Sequence, residues 1–462
     1  MTDKEGVLGM SRRRYVQLLG GSAATVGIAG CSGNGDGDGD GGGDDGGSDG
    51  DGGSDGDGGS DTTPTATAAS GSTTLEIQHW WTSGGDGEAM QMLQDEFLER
   101  NPDYEISDNP VAGGAGQNLQ AVIRQKVLEG DPPSTWQDWP GRNLADYVEA
   151  GALKDITDIF EGDMMDNYRE GAMLSARAGD SDNPPVAVPL NIHRVNNLFW
   201  DVSALEGTDI DPGSASDPYE FNEILAQIDE QVDLAPLSVA QSAPWTNLQL
   251  WVSNFLGIHG AEAFRSFRAG EGDIDAIAEA LEVTKEQFQY LTGDATSIGN
   301  DAAAAKLPQG DAVTAMEGDW MAGNLFATDG YEYSEGWEHA PWPGSDGIYV
   351  INTDGFPYPE PNPSPEVTDA WMRWVGSAEA QRMFNPMKGA IPPRADVDVS
   401  EFNELLRSQF EDYQNDTGVL TVTHGDGATP QQGTSLKNAM ARFIEREDVD
   451  ATAPALRDAM TL

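Results

Sequence analysis

The chain has 462 residues, 79 acidic against 25 basic for a net charge of −54, and a single cysteine. So negative a surface excludes nucleic acid and anionic lipid as electrostatic partners, and one thiol excludes a disulfide framework or a cysteine-built metal site. The acidity continues through 271–286 and 396–416, inside the part expected to fold, which suits concentrated salt and points to a halophilic archaeal source.

At the N-terminus, Ser11-Arg12-Arg13-Arg14 precedes an apolar run from Val16 to Ala29. This reads as an export signal with a twin-arginine start at Arg12 and Arg13, and the run is too short to span a membrane. It ends in Ile28-Ala29-Gly30-Cys31, small residues before a cysteine, which resembles a lipobox. Cys31 is therefore expected to be acylated, with residues 1–31 as the signal. Residues 32–73 are nearly all Gly, Asp, Ser, Thr and Ala, a disordered tether of about 40 residues that reaches roughly 35 Å. Within it, Asp36 to Gly41 copies the first half of a calcium loop, but Gly47 stands where a bidentate Glu is needed, so no metal site is expected.

From Thr74 onward the pattern alternates. Leu75 to Trp81 reads as a strand, and Glu88 to Arg100 as a helix with Ala89, Met92, Leu93 and Phe97 on one face. A second strand spans Tyr104 to Val111, a helix covers Gln117 to Glu129, and a third strand falls near Thr135. This order predicts a mostly parallel sheet with helices on its faces. A second lobe is expected to begin near Val188, after the loop 179–185. Asp217-Pro218-Tyr219-Glu220 has the composition of a helix start, with a cap, a proline at the first turn and an acid three residues on. Helical patterns follow over Leu248 to Ile258 and Ala276 to Leu291, and Ala312 to Met316 reads as a strand feeding a helix at Glu317-Gly318-Asp319-Trp320.

No catalytic constellation stands out: the five histidines are scattered, and no metalloprotease, nucleophile-elbow or P-loop motif is present. What the chain does carry is 12 tryptophans, many beside amides and acids at predicted strand ends. Sugar C–H faces stack on aromatic rings, and sugar hydroxyls take bonds from Asp, Asn, Gln, Lys and His. Trp80 and Trp81 point to opposite faces if both lie on the strand, so one ring is free where open α/β sheets hold ligands. The competing arrangement puts both rings in the core. A secreted glycoside hydrolase is the rival function, but it needs two facing carboxyl groups about 5–10 Å apart, and the sequence nominates no such pair.

Six blocks in order then carry a resemblance: Trp80-Trp81-Thr82-Ser83-Gly84-Gly85, Val111 to Gly116, Gly130-Asp131-Pro132-Pro133 with Trp136-Gln137, Val188 to Arg194, Gly318-Asp319-Trp320, and Lys388 to Arg394. Together they resemble the family 1 extracellular solute-binding proteins of ABC sugar importers, and within these the glucose- and mannose-binding proteins. The resemblance implies a two-lobed α/β periplasmic-binding-protein-like fold of type II, closing by a hinge on a central cleft. It divides the chain into one lobe of 74–188 plus 352–394 and another of 189–351 plus 395–462. It implies ligand contacts from Trp81, Asp86, Gln137, Trp245, Asp319, Lys388 and His424, with Trp80, Trp139, His193 and Trp320 beside them. His193 is expected to orient the crossing segment more than to touch ligand. Asp319 has the alternative of capping a helix, and Lys388 of pairing with a structural carboxylate. Relatives carry His where this chain has Trp139, which exchanges a hydrogen bond for a stacking face. The implied protein is a lipid-anchored monomer outside the membrane that needs no cofactor and delivers a glucose-like sugar to a permease.

Overall fold

The computed structural model describes residues 72–82, 84–112 and 116–462. The expectations for Arg12, Arg13, Cys31 and the tether up to residue 71 lie outside the described residues.

Three sheets organise the described residues. In the first, β1 (Thr74–Gln78) runs between β2 (Glu105–Asp108) and β3 (Thr135–Trp136), all parallel, as the alternating pattern predicts. Leu75 and Ile77 turn inward from β1 onto Ala89, Met90, Leu93 and Phe97 of the helix Gly84–Arg100. That helix begins four residues ahead of the expected Glu88. Strand β1 stops at Gln78, short of the expected Trp81, so the two tryptophans follow the strand instead of ending it.

A middle sheet joins β4 (Ala187–Arg194), β9 (Ile348–Pro357) and β10 (Thr417–Leu420). Strands β4 and β9 are antiparallel and buried along their whole length, with a register shift between Pro189 and Asn191. A proline has no N–H to give the ladder, and an irregularity is where a buried sheet tolerates one. Along β9 successive side chains point to opposite faces. Tyr349 and Ile351 enter the core built on the first sheet, while Ile348 and Val350 enter a second core. That second core is packed from the helices Pro244–Arg268, Ile274–Gln287, Pro430–Arg446 and Val449–Ala459.

The third sheet has the order β6-β7-β5-β8, from β6 (Ala235–Ser238), β7 (Ala312–Glu317), β5 (Asn197–Asp201) and β8 (Trp337–Pro341). The expected parallel arrangement belongs to the opening β-α-β-α-β of the first sheet, whereas here β5 runs antiparallel to both β7 and β8. The helix Pro218–Gln231 starts as its sequence predicts, with the Asp217 carboxylate accepting from the Tyr219 and Glu220 N–H groups. The helix Glu404–Asn415 lends Leu406, Phe410 and Tyr413 to the core of the first sheet.

Candidate binding site

The site begins where the parallel strands of the first sheet end, the place at which open α/β sheets hold ligands. Trp80 follows β1 and Trp139 follows β3, and their ring centroids lie 5.0 Å apart. Trp139 in turn meets His424 at 5.3 Å. This group is fixed from below, because the Arg142 and Asn143 N–H groups donate to the Asp426 and Gly425 carbonyls at 2.9 and 2.8 Å. Gly141 makes the approach possible: its φ of 112° and ψ of −149° belong to glycine alone, and a Cβ there would stand 2.5 Å from the Asp426 carbonyl oxygen.

Trp245 and Trp320 close over His424, at 5.2 and 5.5 Å between centroids. Trp245 sits in the first turn of Pro244–Arg268, and Trp320 just ahead of the short helix Met321–Phe326. His424 Nδ1 pairs with the Thr423 hydroxyl at 2.9 Å. Burial pushes the imidazole pKa down to about 3, helped by Lys437 and His193, so the ring is neutral. Four indoles and one neutral imidazole thus share one space, a surface suited to an uncharged polyol with apolar C–H faces.

Beneath the rings runs a buried polar chain. Lys388 Nζ lies 3.1 Å from Asp86 Oδ1 and 3.1 Å from His193 Nε2, and His193 Nδ1 lies 2.5 Å from Asp319 Oδ1. Burial alone would lower the Lys388 pKa, but Asp86 and Asp354 reverse it, and the net shift is upward. Asp319 Oδ2 also accepts the Arg194 N–H at 2.9 Å. Gln137 spans the Trp80 N–H and Asp354, its oxygen accepting at 3.1 Å and its Nε2 donating at 3.3 Å.

The structure brings most of the sequence-nominated residues together, in roles that differ. Trp81 is a core side chain, 2 % exposed against Phe356 and Phe384, so the expectation that its ring meets ligand passes to Trp80. The reason is backbone: with β1 ended at Gln78, strand alternation no longer decides which ring is free. Gln137, His193 and Asp319 are buried, with their polar atoms directed at one another and at the backbone. Asp319 ties down β4 and does not cap the helix that follows it, and His193 on β4 is held between Lys388 and Asp319. Trp80, Trp139, Trp245, Trp320 and His424 form the aromatic cluster, while Asp86 and Lys388 form a partly exposed ion pair beside it.

Three acids were not nominated by sequence. Asp354 on β9 accepts from Gln137 and Asn191. Asp138 accepts from Trp136 Nε1, the Trp139 N–H and Asn143 Nδ2, and burial still pushes its pKa up to about 6. Glu317, at the end of β7, accepts from the Gly318 N–H, Trp320 and Gln249, and burial pushes it up to about 8. Asp138 and Glu317 had a signal in their places inside the Trp136-Gln137-Asp138-Trp139 and Glu317-Gly318-Asp319-Trp320 runs. Asp354 is distant in sequence from what it touches.

Past His424 opens a cavity of about 580 Å³ between the helix Gln117–Glu129 on one side and Pro430–Arg446 on the other. Its volume is in the range of small-molecule sites, about 300–1,000 Å³. Among the described residues, no cluster of three or more His, Cys, Asp or Glu side chains is placed to hold a metal ion.

Comparison with known proteins places these features in context. Residues 81–382 match the family described as bacterial extracellular solute-binding protein. The xylose/arabinose-binding protein XacG of Haloferax volcanii is 40 % identical over 455 residues, covering 97 % of this chain and 96 % of that protein. A probable sugar-binding periplasmic protein of Mesorhizobium japonicum is 26 % identical, over 80 % of this chain and 88 % of its own length. The solved structure of the bacterial solute receptor AcbH superposes with a TM-score of 0.70 at 15 % identity, over 84 % of this chain and 97 % of that one. That structure shares the two-domain α/β fold.

Proposed function

The chain belongs to the bacterial extracellular solute-binding protein family, a sugar-binding component of an ABC transporter and not an enzyme, and from that premise we propose that it captures a neutral monosaccharide of pentose size. The observation that carries the reading is Trp139. Its ring takes the place of the imidazole that the resemblance gives to glucose-binding relatives, and it lies against Trp80 and His424. A larger ring with no partner for an exocyclic hydroxymethyl fits a pyranose that lacks one. The 40 % identity to a xylose/arabinose-binding protein supports the same choice. Glucose is the second reading, supported by the sequence blocks that resemble glucose-binding proteins.

In this reading Trp80 and Trp139 stand on one lobe and face His424, Trp245 and Trp320 on the other. Sugar bridging the two would favour the closed form, and the permease would recognise it. Stacking with several hydrogen bonds supports micromolar affinity, about −8 kcal/mol. The lobe division at 188 and 352 is part of the proposal, with β4 and β9 as the crossing segments. So are export through Arg12 and Arg13, lipid attachment at Cys31, a monomeric state and a saline milieu. Calorimetric titration in molar salt with xylose, arabinose and glucose tests the reading. Pentoses are expected to bind most tightly; tighter glucose would favour the second reading, and no binding by any sugar would remove both.

A further inference from the structure

The cavity beyond His424 has a charge pattern that a neutral monosaccharide does not use. Lys437, on the helix Pro430–Arg446, lines it, and among the described residues its ammonium has no hydrogen bond and no carboxylate partner. Lys126, Lys154, Lys306 and Lys388 each hold one. In a chain with 79 acidic residues, a half-buried lysine facing a cavity without an ion-pair partner differs from Lys285, which shares its surface with Glu279, Glu282 and Glu286. Burial lowers its pKa, and no carboxylate opposes the shift.

Arg124 lines the facing wall, on the helix Gln117–Glu129. Its contact with Asp146 is long, 3.8 Å, and both side chains remain about one-third exposed at 29 % and 34 %, so the guanidinium is only loosely engaged. The other carboxylate at the cavity, Asp138, is already surrounded by donors at the aromatic end. Gln120 and Asn438 add amide groups able to bond hydroxyls.

Resting on the receptor reading above, we propose that this cavity is a second subsite for a sugar unit bearing a carboxylate, its acid group read by Lys437 from one wall and Arg124 from the other. The preferred ligand is then a pentose linked to a uronic acid, with the pentose against the rings and the acid unit past His424, which borders both spaces. An ammonium and a guanidinium on opposite walls would tighten on one carboxylate as the cavity closes. Because the groups are partly buried, the preference should persist in concentrated salt.

Calorimetric titration of the purified full chain at one high salt concentration, with xylose, xylobiose and glucuronosyl-xylose, tests this. Glucuronosyl-xylose is expected to bind at least about tenfold more tightly than xylobiose. K437M should erase that gain while leaving the xylose affinity within about twofold, which also shows that the variant is folded. K437R should keep most of the gain, and R124M should lose part of it. Equal affinity for the acidic and neutral disaccharides, or a gain that survives in K437M, overturns the proposal. Xylose binding in the same series keeps that failure separate from failure of the receptor reading.

Discussion

His193 Nδ1 lies 2.5 Å from Asp319 Oδ1, both side chains almost wholly buried, and the contact joins β4 to the turn that carries Trp320. Since the Lys388 ammonium can only donate, His193 Nε2 accepts from it and Nδ1 donates to Asp319. Asp319→Ala would leave the buried His193 Nδ1–H and the Arg194 N–H unpaired. It is expected to cost about 3–5 kcal/mol of stability. Asp319→Asn, which keeps an acceptor, should cost clearly less. Denaturant unfolding at fixed salt measures both, and equal losses would contradict the assignment of Asp319 as the hydrogen-bond acceptor for His193 and the Arg194 N–H.

Trp139 supplies a stacking face. Trp139→Ala should weaken sugar affinity about tenfold, near 1.4 kcal/mol, for the loss of an aromatic contact. Trp139→His should shift the preference from xylose toward glucose by restoring a hydrogen-bonding group. Titration of both sugars against each variant decides it, and an unchanged preference in Trp139→His would detach specificity from this position.

Glu317 predicts a pH dependence. Its folded pKa, about 8, lies above the ordinary value of 4.5, so the folded state holds a proton over that interval that the unfolded chain has released. Its contribution to stability is therefore complete at low pH and is lost as pH rises from about 4.5 to 8. Glu317→Gln keeps the shape and removes the titration. Thermal unfolding at pH 5 and pH 9 should show the variant gaining on the parent by several degrees at the higher pH only. A constant difference across that range would locate the proton elsewhere.

Gly141 is expected to accept no side chain. Gly141→Ala imposes a Cβ on a backbone at φ 112° that would stand 2.5 Å from the Asp426 carbonyl oxygen. It should cost about 1–3 kcal/mol in backbone strain. It should also weaken sugar binding, because the Trp139–His424 contact rests on that approach. Unfolding and titration of the same variant report the two effects, and a silent substitution would mean that the contact is held another way.

Much of the fold was legible in sequence because its signals are local. The β-α-β-α-β opening follows from periodicity, and the Asp217 cap from four consecutive residues. Local pattern failed where the deciding contact is remote. Whether Trp80 or Trp81 faces the cleft depends on where β1 stops pairing with β2 and β3. Asp354 has its role only beside Gln137, and the Glu317 contact with Gln249 spans a long stretch of chain. The antiparallel β5 was missed because a strand's direction is set by its neighbours, not by its own residues.

Strand β9 sends Tyr349 and Ile351 to one core and Ile348 and Val350 to the other, so it is a party wall and not a slack cord. Any tilt of one half against the other must be absorbed at the ends of this wall, since its middle is gripped from both sides. Trimming Ile351 or Val350 should therefore weaken the room its side chain enters and, through the shared strand, lower the melting temperature of the whole.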